Sequence, residues 1–293
     1  MTPSNARNVL AAGIADALEG VFQGQVIRPQ DAGYEDARRI WNASIDRRPA
    51  IIVRPIGVAD VIAAVKIARE RDLLVAVRGG THSIAGYSTC DDGMVIDLSG
   101  MKGIRVDPQR RRAYVEPGVV WQELDRETQA FGLAVTGGLI SSTGVAGFTL
   151  GGGVGWLHRR YGLACDNLIS AKLVTADGST VVASDDANPD LLWALKGGGG
   201  NFGIVTSFEF ALHSVGPEIT GGLIFYPGER AADVMGFFRD LYEQASDSVT
   251  LACVLRLAPP APFLPQEVHG TPVVAIAGVH AGPPGRWRMR SET

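Results

Sequence analysis

The residues of this chain whose types and spacing suit chemistry are four groups of glycines and one histidine. The groups are Gly79-Gly80, Gly137-Gly138, Gly151-Gly152-Gly153 with Gly155, and Gly197 to Gly200 with Gly203, each beside an apolar segment. Glycine is needed where backbone amides must come close to an anion, or where φ is positive. Any one group alone reads as a turn. Four of them between positions 79 and 203 of a 293-residue chain argue for a shared ligand. The first group opens the run RGGTHSIAGYS, which follows the apolar stretch LLVAV and holds His82. An imidazole, with an ordinary pKa of about 6.5, keeps a neutral nucleophilic nitrogen near neutral pH. Held in a tight loop, it gains reactivity by proximity. The plain alternative is a loop histidine that only hydrogen-bonds.

Familiar nucleotide and hydrolase patterns do not account for these groups. GxxxxGK[ST], HExxH and GxSxG are absent. One GxGxxG exists, Gly198 to Gly203, but it follows a helical stretch and precedes an apolar strand. That is the reverse of the strand-to-helix order that aims a helix N-terminus at a pyrophosphate. His158, His213, His269 and His280 show no metal-ligand spacing. The three cysteines, Cys90, Cys165 and Cys253, are odd in number and form no CxxC pair. They read as reduced thiols in a cytoplasmic protein. A formal charge of -4 supplies no attraction for nucleic acid or an anionic membrane. The amino terminus is interrupted by Asp16 and Glu19, and no stretch is apolar for the roughly 18 residues that a membrane helix needs.

Periodicity supplies the elements that must position the loops. Residues 5–20 predict an amphipathic helix, RPAIIVRP a strand, GVADVIAAVKIARERD a helix and LLVAVRGG a strand. Strand–helix–strand order favours a parallel pair. MVIDLSGM, IRVDPQRRRAYVEPG and KLVTADGSTVVAS predict short hairpin strands. VVWQELDRETQAFG predicts a helix ending at Gly132. Asn188 and Pro189 mark another helix start, as side-chain cap and first helical residue. IVTSFEFAL is an alternating strand, and VGPEITGG a Gly/Pro-rich boundary. Beyond it LIFYP, a helix over 229–245, VTLACVLRLA and VVAIAGVHA open a further unit. The last stretch, PPGRWRMRSET, breaks off without apolar period and suggests a truncated or frameshifted chain.

Taken in order, RGGTHSIAGYS, VIDLSGMKGIRVD, TGGLISSTGVAGFTLGGGVGWLHRRYGLACDNL and NPDLLWALKGGGGNFGIVTSFEF resemble the berberine-bridge-enzyme-like group of FAD-linked oxidases. These carry a p-cresol-methylhydroxylase-type (PCMH-type) flavin domain. The resemblance implies an α+β fold. A helix and lead-in occupy 1–45, and a PCMH-type FAD-binding domain of two α/β subdomains occupies 46–216. The start of an α+β substrate domain, incomplete and with an aberrant tail, occupies 217–293.

It also implies site residues. Arg78, Gly79, Gly80, Thr81, His82, Ser83 and Gly86 match the loop that cradles the pyrophosphate, with His82 bonding covalently to the methyl of the flavin's dimethylbenzene ring. Thr136, Gly137, Thr143, Gly144, Gly147, Phe148, Gly153 and Gly155 match a second stretch lining the cofactor, followed by Asp166 and Asn167. Gly200, Asn201, Gly203, Ile204 and Val205 match the segment approaching the dinucleotide, the last two through backbone groups near the adenine. Two departures matter. Where doubly attached members have a cysteine this chain has Ile140, which cannot form a thioether, so attachment is expected through His82 alone. The glycine usual before the histidine is Thr81.

The implied activity moves a hydride from an alcohol, sugar or secondary metabolite to flavin, then electrons to oxygen or another acceptor. The alternative is a catalytically inactive flavin-binding fragment. No nucleic-acid or membrane partner and no metal are expected. A catalytic base is not assigned, because the substrate domain's later parts lie beyond this sequence and nothing supports Tyr226 or Tyr242.

Overall fold

Ile51-Ile52-Val53 and Met94-Val95-Ile96 are continuous apolar runs with no polar face to offer water, and both are wholly buried. Such strands are stable only with both sheet faces covered. The computed structural model describes residues 3–282, so the expected tail PPGRWRMRSET lies outside them. The first lobe contains α1 (Pro3–Leu18), β1 (Gln25–Ile27), α2 (Tyr34–Arg38), β2 (Ile51–Arg54), α3 (Val58–Glu70), β3 (Val75–Arg78) and β4 (Met94–Asp97). Its sheet runs β1-β2-β4-β3, with β2, β4 and β3 parallel and β1 antiparallel. α1 and α3 cover one face, packing Ile14, Val61 and Val65 on Ile51, Val53 and Ile96. α2 brings Tyr34 and Ala37 to the other face, against Ile52 and Val95.

Two expectations change here. β2 and β3 are parallel but not adjacent, because β4 lies between them. MVIDLSGM is therefore not a hairpin strand: it is β4, buried at all four positions between parallel neighbours. Its unbroken apolar run was the mark of two-sided burial.

The second lobe contains β5 (Ile104–Asp107), β6 (Arg112–Val115), α4 (Trp121–Gln129), β7 (Leu133–Ala134), α5 (Val145–Leu150), α6 (His158–Tyr161), β8 (Leu168–Val174), β9 (Thr180–Ser184), α7 (Pro189–Leu195), β10 (Ile204–Ala211) and β11 (His213–Ser214). The antiparallel sheet β5-β6-β10-β8-β9 includes the two expected hairpins, β5/β6 and β8/β9. Trp121 and Leu124 of α4 and Phe208 and Phe210 of β10 belong to one core. Pro189 opens α7 as expected, but Asn188 does not cap it by its side chain. Asn188 takes a left-handed φ of 55°, and its Nδ2 donates to Val182 O at 2.8 Å. A third lobe, β12 (Thr220–Pro227), α8 (Ala231–Gln244), β13 (Val249–Leu257) and β14 (Pro272–His280), forms the antiparallel sheet β12-β14-β13. α8 packs Val234 and Phe238 on Val274 and Ile276. The whole is a mixed α+β architecture.

Candidate functional site

The four glycine groups meet where the first lobe joins the second. β3 delivers the turn that begins at Gly79, and the segment before α5 delivers Thr143 and Gly144. These two backbones touch. A Cβ on Gly80 would lie 2.3 Å from Gly144 N, and one on Gly144 would lie 2.4 Å from Gly80 N. Neither position admits any side chain. Gly137 and Gly155 meet as closely, since a Cβ on Gly155 would stand 1.8 Å from Gly137 O. The fourth group joins through Gly199 N, which donates to Leu150 O at 2.9 Å. Three main-chain contacts thus tie together segments that lie far apart in sequence.

The turn after β3 leaves its donors unspent. Among the described residues, no hydrogen bond uses the amides of Gly80, Thr81, His82 or Ser83. Successive free amides in a tight turn form an anion-binding concavity. Thr81 sits at φ 64°, the left-handed region that suits glycine and strains a β-branched residue. So the turn keeps a glycine-like shape at the position where the sequence departs from the family.

His82 stands beside this concavity. Its Nε2 lies 3.0 Å from Ser142 Oγ. The Trp41 ring stacks on its imidazole, with centroids 5.3 Å apart and planes 19° from parallel. Around it the same loops carry exposed apolar side chains, Ile84, Tyr87, Leu139 and Ile140. Exposed clusters of that kind mark ligand or partner sites. Neither Trp41 nor Ser142 carried a sequence signal; only the folded loops bring them to the ring.

Several expected site residues turn their side chains inward. Arg78 is 2% exposed and donates to the carbonyls of Ala37, Arg38 and Ser88, with Asp97 at 3.8 Å. Burial lowers its pKa, against the pull of Asp97. Thr136 Oγ1 donates to Gly162 O, Asp166 accepts from Leu163 N, and Asn167 Nδ2 donates to Tyr161 O and Leu163 O. These three shape the 161–167 loop. Phe148 sets its ring edge-on to Trp121, next to Gly138 and Gly153. Asn201 Nδ2 closes its own turn on Gly198 O, and Ser83 Oγ accepts from Tyr87 N beside Gly86. Ile204 and Val205 have buried side chains, so only their backbones can serve a ligand. Gly147 and Gly200 border open space, and a Cβ on Gly203 would stand 2.6 Å from Val174 O.

Other candidates of the sequence take structural places. Cys165 is buried, and burial with neighbouring Asp166 raises its thiol pKa. His158 Nδ1 donates to Gly155 O at 2.7 Å. Tyr226 packs into the third-lobe core, and the Tyr242 ring lies under the Arg159 guanidinium at 4.4 Å. Among the described residues there is no group of three metal-ligating side chains, and no helix is long and apolar enough to cross a membrane.

Known proteins share both pattern and shape. The family described as FAD binding domain matches residues 49–184. The (R)-6-hydroxynicotine oxidase of Paenarthrobacter nicotinovorans is 35% identical over 261 residues, 89% of this chain and 56% of that protein. The crystal structure of 6-hydroxy-D-nicotine oxidase from Arthrobacter nicotinovorans superposes with a TM-score of 0.82 at 34% identity, covering 89% of this chain and 56% of that one. BBE-like 1 of Physcomitrella patens gives a TM-score of 0.83 at 27% identity, over 92% and 57%. The chain spans about half the length of the relatives it matches.

Proposed function

The chain belongs to the FAD-linked oxidoreductases built on this FAD binding domain, and from that premise we propose that it holds FAD at the glycine junction, tethered by His82 alone, and oxidises a small organic substrate. The observation that carries the reading is the free-amide turn at Gly80–Ser83, locked against Gly144 with His82 at its edge. Its chemistry fits the group: the four amides are donors for a pyrophosphate, and the exposed apolar side chains suit a flat ring. The backbones of Gly200 to Val205 serve the adenine side of the dinucleotide.

FAD supplies a ring that accepts a hydride and later yields the electron pair to oxygen or another acceptor. His82 supplies the tether, an N–C bond to the methyl of the dimethylbenzene edge. Forming that bond would remove one imidazole N–H and one methyl C–H as two protons and an electron pair, which the same acceptor would take up. Ile140 offers no nucleophile, so there is no second tether. Alcohols, sugars and secondary metabolites are the proposed substrates. The free thiols Cys90, Cys165 and Cys253 support a reducing, cytoplasmic setting.

The purified chain is expected to show flavin absorption and to keep its flavin through acid precipitation, whereas His82→Ala releases it. Colourless wild-type protein that is well folded would sink the whole reading. A second reading, an inactive flavin-binding fragment, is favoured by the third lobe. Its β12 and β13 each pair on one side only among the described residues, and Leu223, Leu255 and Leu257 lie exposed on them. Yellow protein whose flavin no alcohol, sugar or ring substrate bleaches would support that reading.

A further inference from the structure

Resting on the reading that His82 tethers FAD, we propose that Ser142 and Trp41 are positioning residues that decide which nitrogen His82 presents, and in which plane. Three segments converge on the imidazole. Trp41 comes from the stretch between α2 and β2, His82 from the turn after β3, and Ser142 from the turn before α5. The stacking ring is pinned to the turn it packs on: Trp41 N donates to Thr81 O at 3.3 Å, and Asn42 Nδ2 donates to Ile84 O at 2.8 Å. The backbone that carries the indole is thereby held to that turn, and the stacked indole limits the imidazole's freedom to swivel.

Ser142 settles the nitrogen. A neutral imidazole has one lone-pair nitrogen and one N–H. Ser142 Oγ, 3.0 Å away, occupies Nε2 in either tautomer. Were the hydroxyl the donor, Nδ1 would carry the proton and neither nitrogen would offer a lone pair. With the hydroxyl as acceptor from Nε2–H, Nδ1 keeps a lone pair, and it has no hydrogen-bond partner among the described residues. Only this second arrangement leaves a nucleophile. Nδ1 is thus the atom that forms the N–C bond. The proton then leaves from Nε2 through the Ser142 hydroxyl, which lies on an exposed turn, to solvent. The methyl C–H supplies the other proton and the electron pair, and that pair goes to the acceptor already named.

The test compares the rate at which acid-stable flavin accumulates when FAD is added to wild type, Ser142→Ala, Ser142→Thr, Trp41→Ala and His82→Ala. With the tether itself intact, Ser142→Ala slows attachment about tenfold, the value of one hydrogen bond, and Ser142→Thr restores it. Trp41→Ala also slows attachment while total bound FAD stays the same. The nitrogen-15 spectrum of the flavin-free chain in alkaline buffer gives an independent readout. Wild type shows a protonated Nε2 and bare Nδ1, and Ser142→Ala a mixture. A Ser142→Ala chain that attaches flavin at the wild-type rate overturns the assignment, as does a wild-type Nδ1–H tautomer. If wild type itself releases all its flavin in acid, the tether fails and this assignment fails with it. Loss in His82→Ala but not in Ser142→Ala removes the positioning role only.

Discussion

The two junctions of this molecule are built on opposite principles. Between the first and second lobes, main chain lies on main chain, and Gly80 and Gly144 leave no room for a single carbon between them. Between the second and third lobes, beside a small apolar cluster of Ala134, Val215, Leu157, Tyr161 and Ala281, the polar contacts are made by long side chains. Arg159 of α6 donates to the carbonyls of Tyr242, Ala245 and Val249, and Arg160 donates to Ala281 O at 2.9 Å. A guanidinium offers five donors in a fixed fork, so one residue can terminate several carbonyls at once. The first junction has no room for a side chain at Gly80 or Gly144, and it leaves the amides of Gly80 to Ser83 without a partner among the described residues. The second spends the Arg159 guanidinium on three carbonyls of the third lobe. The difference teaches where to look for binding in this fold: at the junction that gave up side chains.

That contrast can be broken at its strongest point first. Gly144→Ala drives a methyl into the Gly80 backbone, and the loops must part. We expect a loss of about 3 kcal/mol from overpacking, with flavin uptake abolished, read by denaturant midpoint and by absorption after FAD addition. A variant that still turns yellow at wild-type affinity would show that the close approach is not needed. Arg159→Ala should cost about 2 kcal/mol by stranding carbonyls, and it should loosen the third lobe alone. Limited proteolysis is expected to cut within residues 220–280 sooner, while flavin uptake stays as in wild type. Equal losses of flavin and of protease resistance would merge the two junctions into one unit.

The smallest effect is a pH dependence beside the arginine junction. His213 stacks on Tyr161 with ring centroids 4.0 Å apart, and its Nε2 donates to Asn167 Oδ1 at 2.5 Å. Burial lowers its pKa below the usual imidazole value, and Arg111 and Arg160 push it the same way. The folded chain therefore takes up this proton less readily than the unfolded chain. Its stabilisation is present above about pH 6.5 and is lost as pH falls through the depressed folded pKa. Melting temperature should fall with acidification in that window, and His213→Gln should flatten the slope there. An unchanged slope in the variant would assign the pH response elsewhere.

Much of this was legible in the chain. The hairpins β5/β6 and β8/β9 announce themselves because strands and turn are contiguous, so local chemistry decides the pairing. β4 is not legible as a parallel strand from local chemistry, because its partners β2 and β3 lie beyond the reach of a turn and only its unbroken apolar run hints at two-sided burial. Asn188 does not cap α7 because its left-handed φ turns the side chain to Val182 O instead. At the candidate site the glycines were readable, but Trp41 and Ser142 were not. Indole and hydroxyl are ordinary loop residues until something lands beside them.

By itself, the order of residues determined where bare backbone is obligatory, since a glycine forced by contact or by φ leaves a mark no other residue would. It determined which runs must be buried, from apolar pattern alone, and it brought a histidine into the first bare turn. Only the tertiary structure decided that these turns face one another, that Arg78 turns inward to brace the first lobe, and that a serine 60 residues away holds the imidazole. The reason is physical: bareness is a property of one residue, whereas a meeting between distant segments depends on every layer packed between them.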